Sequence, residues 1–399
     1  MQFWRKNKKN YVNKQLADDL LKKTETAIEK MPPINILVAG KTGSGKSTLI
    51  NALFRENIAA TGVGMPVTQT VDKLTKEGIP LTLYDTKGLE LQAESQQAVV
   101  NDLSNLIQQQ KAKGDKEAIH IVYYCLNANM ARIEPYELDL IQALAQQLPV
   151  ILVLTQTLGS ENKSFEIYIQ QLAPAIEVKA VIPVLAKSFS IQANQQIKAF
   201  GLQTLIDKTL EILPTEQHLA FINAQQIDIQ RKVDNAKRWA KSYVTTAFGV
   251  GFTPVPISDA ALLIPMQITM LAHITAIFGL ALDKAQILSV LAGIGGTGTT
   301  TMIGKYFVGT AFKLIPGIGT VSGGLISGST AAVLTIALAH SYTEVLRRIL
   351  LAELDGTDLR LKEIQSIMNL SLGNQLDYLK DHLPKNTPRQ VIEWLDQFK

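Results

Sequence analysis

The chain has 399 residues, of which 46% are hydrophobic and 19% charged, with a net charge of +4. That length holds two or three domains. The first thirty residues carry eight Lys/Arg against four Asp/Glu and alone account for the excess, so the balanced body argues against a nucleic-acid-binding surface.

Charge is unevenly spread. From Trp239 to Tyr342 only Lys241, Asp259, Asp283, Lys284, Lys305 and Lys313 are acidic or basic, which suggests two halves in different surroundings. The single cysteine, Cys125, permits no intrachain disulfide and no cysteine-based metal site, and its run IHIVYYCL reads as core. The start MQFWRKNKKNY is basic but lacks the apolar stretch of a signal peptide.

Residues 1–33 read as a basic amphipathic helix stopped by Pro32 and Pro33. Its interleaved Phe3, Trp4 and Tyr11 fit either a solvated leader or an interfacial anchor on anionic lipid. Residues 34–214 alternate strand-like runs (34–40, 80–86, 118–126, 149–155, 178–186) with helical patterns (46–54, 95–112, 134–147, 161–173, 201–212). The strand runs are short, almost uncharged and rich in β-branched residues, as in strands buried on both faces of a parallel sheet. The expected fold class is therefore α/β, a doubly wound and mostly parallel sheet, followed by an all-α apolar, Gly-rich helical domain.

That second domain is drawn at 215–350. It opens on a polar helix over 215–238, then runs 260–282 and 314–340 without a formal charge, each long enough to span a bilayer. Small residues four apart, such as Gly293–Thr297 and Gly319–Gly323, suit close helix packing, and Asp259 with Asp283–Lys284 brackets the first run. Membrane insertion and a buried helical bundle are the two readings, with insertion favoured. His273 reads as a packing histidine. Residues 351–399 return to charged helices.

The chemistry lies in Gly40-Lys41-Thr42-Gly43-Ser44-Gly45-Lys46-Ser47, which fits the phosphate-loop pattern G-x-x-x-x-G-K-S between a buried strand and a helix. Glycines let successive N–H groups turn toward phosphate oxygens, and the helix N-terminus favours an anion. Residues 41–48, through Thr48, are expected to hold a nucleoside triphosphate, with Lys46 at the β and γ phosphates and the Ser47 hydroxyl on Mg²⁺. Asp85-Thr86-Lys87-Gly88 ends the run PLTLYDT. There Asp85 is expected to hold Mg²⁺ through water and the Gly88 N–H to sense the γ-phosphate. Within Gly62–Asp72, Thr68 is the expected third Mg²⁺ ligand, with Thr70 in reserve.

These three elements resemble a translation-factor-type GTPase of the TrmE–Era group, over roughly 34–212, and are also similar to immunity-related and septin-like GTPases. The stretch RWAKSYVTTAFGVGFTPVPISDAALLIPMQITM resembles the domain of unknown function of YcjF-like bacterial membrane proteins, over roughly 235–350. The resemblance implies GTP with Mg²⁺, hydrolysis helped by Lys46, Thr68 and Gly88, and a base site formed by Thr155, Gln156, Ala186 and Lys187. Three departures stand out. The base-reading N/T-K-x-D is Thr155-Gln156-Thr157-Leu158 here, so the carboxylate is replaced by Leu158 and guanine selectivity is in question. Leu89 stands where many relatives place a water-orienting Gln. Gly43 stands where potassium-activated relatives carry Asn.

The expected function is a slow GTPase switch on the cytoplasmic face of a membrane, coupled to the helical module. An activating protein or a homodimer through the nucleotide domain would complete the site, with Gln69, Gln92 and Gln96 as weaker candidates within the chain. The alternatives are a non-catalytic nucleotide-gated membrane scaffold and an RNA or ribosome-assembly GTPase. Guanine nucleotide and membrane lipid are the expected partners, and nucleic acid is not.

Overall fold

The computed structural model describes residues 2–54, 63–66, 71–87, 96–192, 195–250, 259–294 and 328–382. They form two compact units, Glu29–Asp228 and Met1–Ile28 with Ile229–Lys399. The sequence alone suggests divisions at 33/34, 214/215 and 350/351. Helix α1 (Gln2–Glu29) packs with the C-terminal helices, a long-range contact invisible to local composition.

The central unit is built on a seven-stranded sheet: β1 (Ile34–Ala39), β2 (Val63–Pro66), β3 (Val71–Thr75), β4 (Leu81–Thr86), β5 (Ile121–Asn127), β6 (Val150–Thr155) and β7 (Ala180–Pro183). The spatial order is β2-β3-β4-β1-β5-β6-β7. The pairs among β4, β1, β5, β6 and β7 are parallel, whereas β3 runs antiparallel to both β2 and β4. INILVA and VILVLT are buried at every position, as a central parallel strand requires. The one polar side chain inside β1, Asn35, is satisfied. Its amide donates to the Lys116 and Ala118 carbonyls, at 2.9 and 2.8 Å.

The helices of this unit are α2 (Lys46–Leu53), α3 (Gln96–Ala112), α4 (Pro135–Ala145), α5 (Lys163–Leu172), α6 (Leu202–Ile212) and α7 (His218–Ala224). One sheet face packs Leu37, Tyr84, Val122 and Leu152 against Leu103, Ile107, Ile141 and Ile169 of α3, α4 and α5. A short antiparallel pair, β8 (Phe189–Gln192) with β9 (Gln195–Ile197), follows β7 and was not anticipated. The polar helix expected over 215–238 is two helices, because Gln225–Asp228 leave the helical path between α7 and α8 (Ile229–Val250).

The second unit contains α1, α8, α9 (Asp259–Phe278), α10 (Lys284–Ile294), α11 (Gly328–Leu354) and α12 (Leu361–His382). Ala17 and Leu20 of α1 share one core with Val233, Ala236, Met270, Leu271, Tyr342 and Met368. Two buried polar side chains of this unit are paired. The Lys232 ammonium donates to the Phe278 carbonyl at 3.0 Å, capping the end of α9, and Tyr342 meets Thr275 at 2.6 Å. His273 is a packing residue, 2.5 Å from the Tyr243 hydroxyl and 5.1 Å from the Trp239 ring.

The apolar run 260–282 is not one span. α9 ends at Phe278, where Gly279 takes φ 69°. Among the described residues no helix is long and apolar enough to cross a membrane. The run 314–340 is described only from residue 328, and Thr297, Gly319 and Gly323 lie outside the described residues. Gly293 does lie at a close approach, for a Cβ there would come within 2.6 Å of the Gln365 carbonyl on α12.

Candidate nucleotide-binding site

The loop Gly40–Gly45 leaves the carboxyl end of β1, at the centre of the sheet between β4 and β5. Strand order reverses there, which is where doubly wound sheets open a crevice for ligands. Two glycines are obligatory on steric grounds. A Cβ on Gly40, at φ +141°, would lie 2.4 Å from the Cys125 carbonyl oxygen, and one on Gly45, at φ +85°, would press on Thr155. Gly45 also begins α2, so its turn aims the helix N-terminus into the loop.

Lys46 is buried, and its ammonium donates to the Gly40 and Lys41 carbonyls at 2.8 and 3.1 Å. It is thus held over the loop. Burial lowers its pKa, while Asp85 acts against that. Asp85 lies on the next strand, opposite Asp72 across the β3–β4 ladder. Burial raises its carboxyl to about 6, Lys46 acts to lower it and Asp72 to raise it further. Asp85 Oδ1, Ser44 Oγ and Thr86 Oγ1 are buried without a hydrogen-bond partner among the described residues. Such orphaned oxygens are costly in a finished core. An acidic oxygen and two hydroxyls around a buried lysine fit a polyphosphate with a hard cation held partly through water.

Thr42, Gly43, Ser47 and Thr48 are exposed on the open side of the loop. Lys41 points elsewhere. Its ammonium pairs with Glu134 and Glu137, both at 3.0 Å, and lies 5.1 Å from the centre of the Tyr136 ring. Burial alone would lower its pKa, but the bonds to the two carboxylates outweigh that and hold it above the ordinary value. The Lys41 side chain therefore pins the loop to the start of α4. The sequence reading missed this clamp. Its signal was E-P-Y-E, a capping pattern in which Glu137 accepts the Glu134 N–H at 3.0 Å with Pro135 opening the helix.

Thr155 and Gln156 also bond within the chain. The Thr155 hydroxyl lies 2.5 Å from the Ser44 carbonyl and 3.1 Å from that of Leu126. The Gln156 amide donates to the Gly43 carbonyl at 3.1 Å. Both side chains fasten the phosphate loop to the end of β6 and do not reach outward toward a base. Leu158 is half-buried, and its N–H is held by Asn162 Oδ1 at 2.8 Å. Ala186 is half-buried and Lys187 exposed just beyond β7. Thr68, Gln69, Thr70, Gly88, Leu89 and Gln92 lie outside the described residues, as does the side chain of Gln96. Cys125 is fully buried with its thiol pushed up to about 12, an inert core group.

Residues 35–156 match the family described as 50S ribosome-binding GTPase, and residues 216–366 match the domain of unknown function DUF697. The chain is 26% identical over 209 residues to the tRNA modification GTPase MnmE of Ureaplasma parvum, covering 50% of this chain and 44% of that one. It is 25% identical over 109 residues to magnetosome membrane protein 22 of Magnetospirillum gryphiswaldense, covering 27% of this chain and 56% of that one. The chain thus spans less than half the length of the MnmE relative. A crystal structure of Era with MgGDPNP and nucleotides 1506–1542 of 16S ribosomal RNA aligns at 18% identity, over 46% of this chain and 58% of that one, with a TM-score of 0.32.

Proposed function

We propose that this chain, which carries a P-loop GTPase domain and C-terminal to it a DUF697 domain, is a Mg²⁺-dependent GTP switch that hydrolyses slowly without a partner. One observation carries the reading: a glycine-built loop holds a buried lysine over its own carbonyls, with a carboxylate oxygen of Asp85, unpartnered among the described residues, on the neighbouring strand. Few functions other than gripping a polyphosphate beside a cation use that combination. The loop N–H groups and Lys46 hold the β and γ phosphates, and Ser47, Asp85 and Thr68 would hold Mg²⁺. When bound, the cation neutralises charge on the phosphates. Water attacks the γ-phosphorus in line as the bond to the β–γ bridging oxygen breaks, and the water's proton passes to the phosphate released.

Leu89 offers no acceptor to that water, so turnover is slow until a second copy or an activating protein supplies one. The helical module is the output of the switch. Its low charge and the likeness to a magnetosome membrane protein support action at the cytoplasmic face of a membrane, with lipid as a partner. Single-turnover hydrolysis of Mg²⁺–GTP by the full chain tests the enzyme. Loss of activity in Lys46→Ala supports it, whereas binding without hydrolysis leaves a nucleotide-gated scaffold. Competition among GTP, ATP and XTP identifies the purine, and carbonate extraction of membranes tests lipid association.

A further inference from the structure

We propose that Gln226 is a positioning residue for the phosphate-binding helix α2 and the point through which nucleotide occupancy is passed to the helical unit; this rests on the nucleotide-binding reading. Helix α2 is short, and Lys46 and Ser47 sit on its first turn, so its tilt sets where both groups point. Its last carbonyls need outside donors. Gln226, about 170 residues downstream, supplies them. Its side-chain amide donates to the Asn51 and Ala52 carbonyls at 3.0 and 2.9 Å, and its backbone N–H to that of Leu53 at 3.0 Å.

The clasp is itself rigid. The fully buried Gln225 exchanges two bonds with the Asp228 backbone, at 2.8 and 3.1 Å, and the Asp228 carboxylate accepts from Gln203 at 2.7 Å. Phe54, the residue after α2, bridges to Gln225 and sets its ring edge-on to Phe221. Helix α8 begins at Ile229, three residues beyond Gln226, and the stretch between contains no glycine or proline. A shift of α2 on binding phosphate would thus reach Gln226 through these hydrogen bonds, three residues before α8 begins.

The test is a donor series at position 226 in the full chain. Gln226→Met keeps the volume and removes the donor, Gln226→Glu sets a carboxylate against two carbonyls, and Gln226→Lys restores a donor of similar reach. Affinity for Mg²⁺ with a non-hydrolysable GTP analogue is measured by titration. Amide exchange over residues 229–250 is measured with and without that ligand. The wild type is expected to change its exchange there at least about threefold on binding. Met is expected to bind about fivefold more weakly and lose the exchange response, Glu to be worse, and Lys to recover both. A role in packing alone would leave Met equal to Gln and Lys impaired. Should Met fail to fold, Gln226→Asn, a donor one methylene short, is expected to fold with a weakened response. An unchanged response in Met or Asn, or a wild type that binds nucleotide with no change over 229–250, overturns the coupling and leaves the nucleotide reading intact. A wild type that binds no nucleotide removes both.

Discussion

Asp85 is expected to weaken the ligand-free protein that carries it, and Asp85→Asn tests this. Its carboxyl rises from 3.8 to about 6, chiefly through burial. At about 1.4 kcal/mol per pH unit, charging it in the folded chain costs about 3 kcal/mol more than in the unfolded chain at pH 8. The sign follows from the raised pKa: the folded form is favoured below 3.8, and that advantage is lost as pH climbs through 6. The attraction of Lys46 is already contained in the value of 6. Asparagine never charges, so the variant is expected to be more stable by about 3 kcal/mol at pH 8 and by about half that at pH 5. All three tryptophans, Trp4, Trp239 and Trp394, lie outside the central unit, so fluorescence would follow the wrong part of the molecule. Exchange of the slowest amides of β1 and β5, in chelator and without nucleotide, reports the opening free energy of the right one. With Mg²⁺–GTP at a hundred times its dissociation constant the two draw nearly level, because the wild type gains about 2.7 kcal/mol and the variant little. A variant no more stable than wild type at pH 8, or one whose advantage is the same at both pH values, would refute the electrostatic account.

Three further outcomes follow from the site. Gly40→Ala pushes a methyl group to 2.4 Å from the Cys125 carbonyl at φ +141°, and nucleotide affinity is expected to fall at least about a hundredfold, measured by titration with a fluorescent GTP analogue. Thr155→Val keeps the shape and removes the hydroxyl from the Ser44 carbonyl, so affinity should drop about fivefold for GTP and ATP alike; a change in their ratio would mean that Thr155 touches the base. Leu158→Asp restores an acceptor beyond β6 and should raise the preference for GTP over ATP about tenfold in competition binding, whereas an unchanged ratio places the base elsewhere.

The sequence alone determined the parts whose physics is local. Short uncharged, β-branched runs such as INILVA and VILVLT, alternating with helical patterns, read as strands buried on both faces, and a glycine loop between such a strand and a helix has few other uses. It did not reveal β2, β3 and the β8–β9 pair, where the runs are short and lack a period. Tertiary structure decided which of several polar side chains serve the loop. Lys41, Thr155 and Gln156 belong to the expected nucleotide site, and their side chains are engaged by carboxylates and carbonyls brought beside them from distant segments. The union of α1 with the C-terminal helices and the Gln226 clasp were likewise invisible, since each joins residues some two hundred positions apart. Periodicity records which face of an element is buried, but the partner that buries it is chosen only when the chain closes on itself.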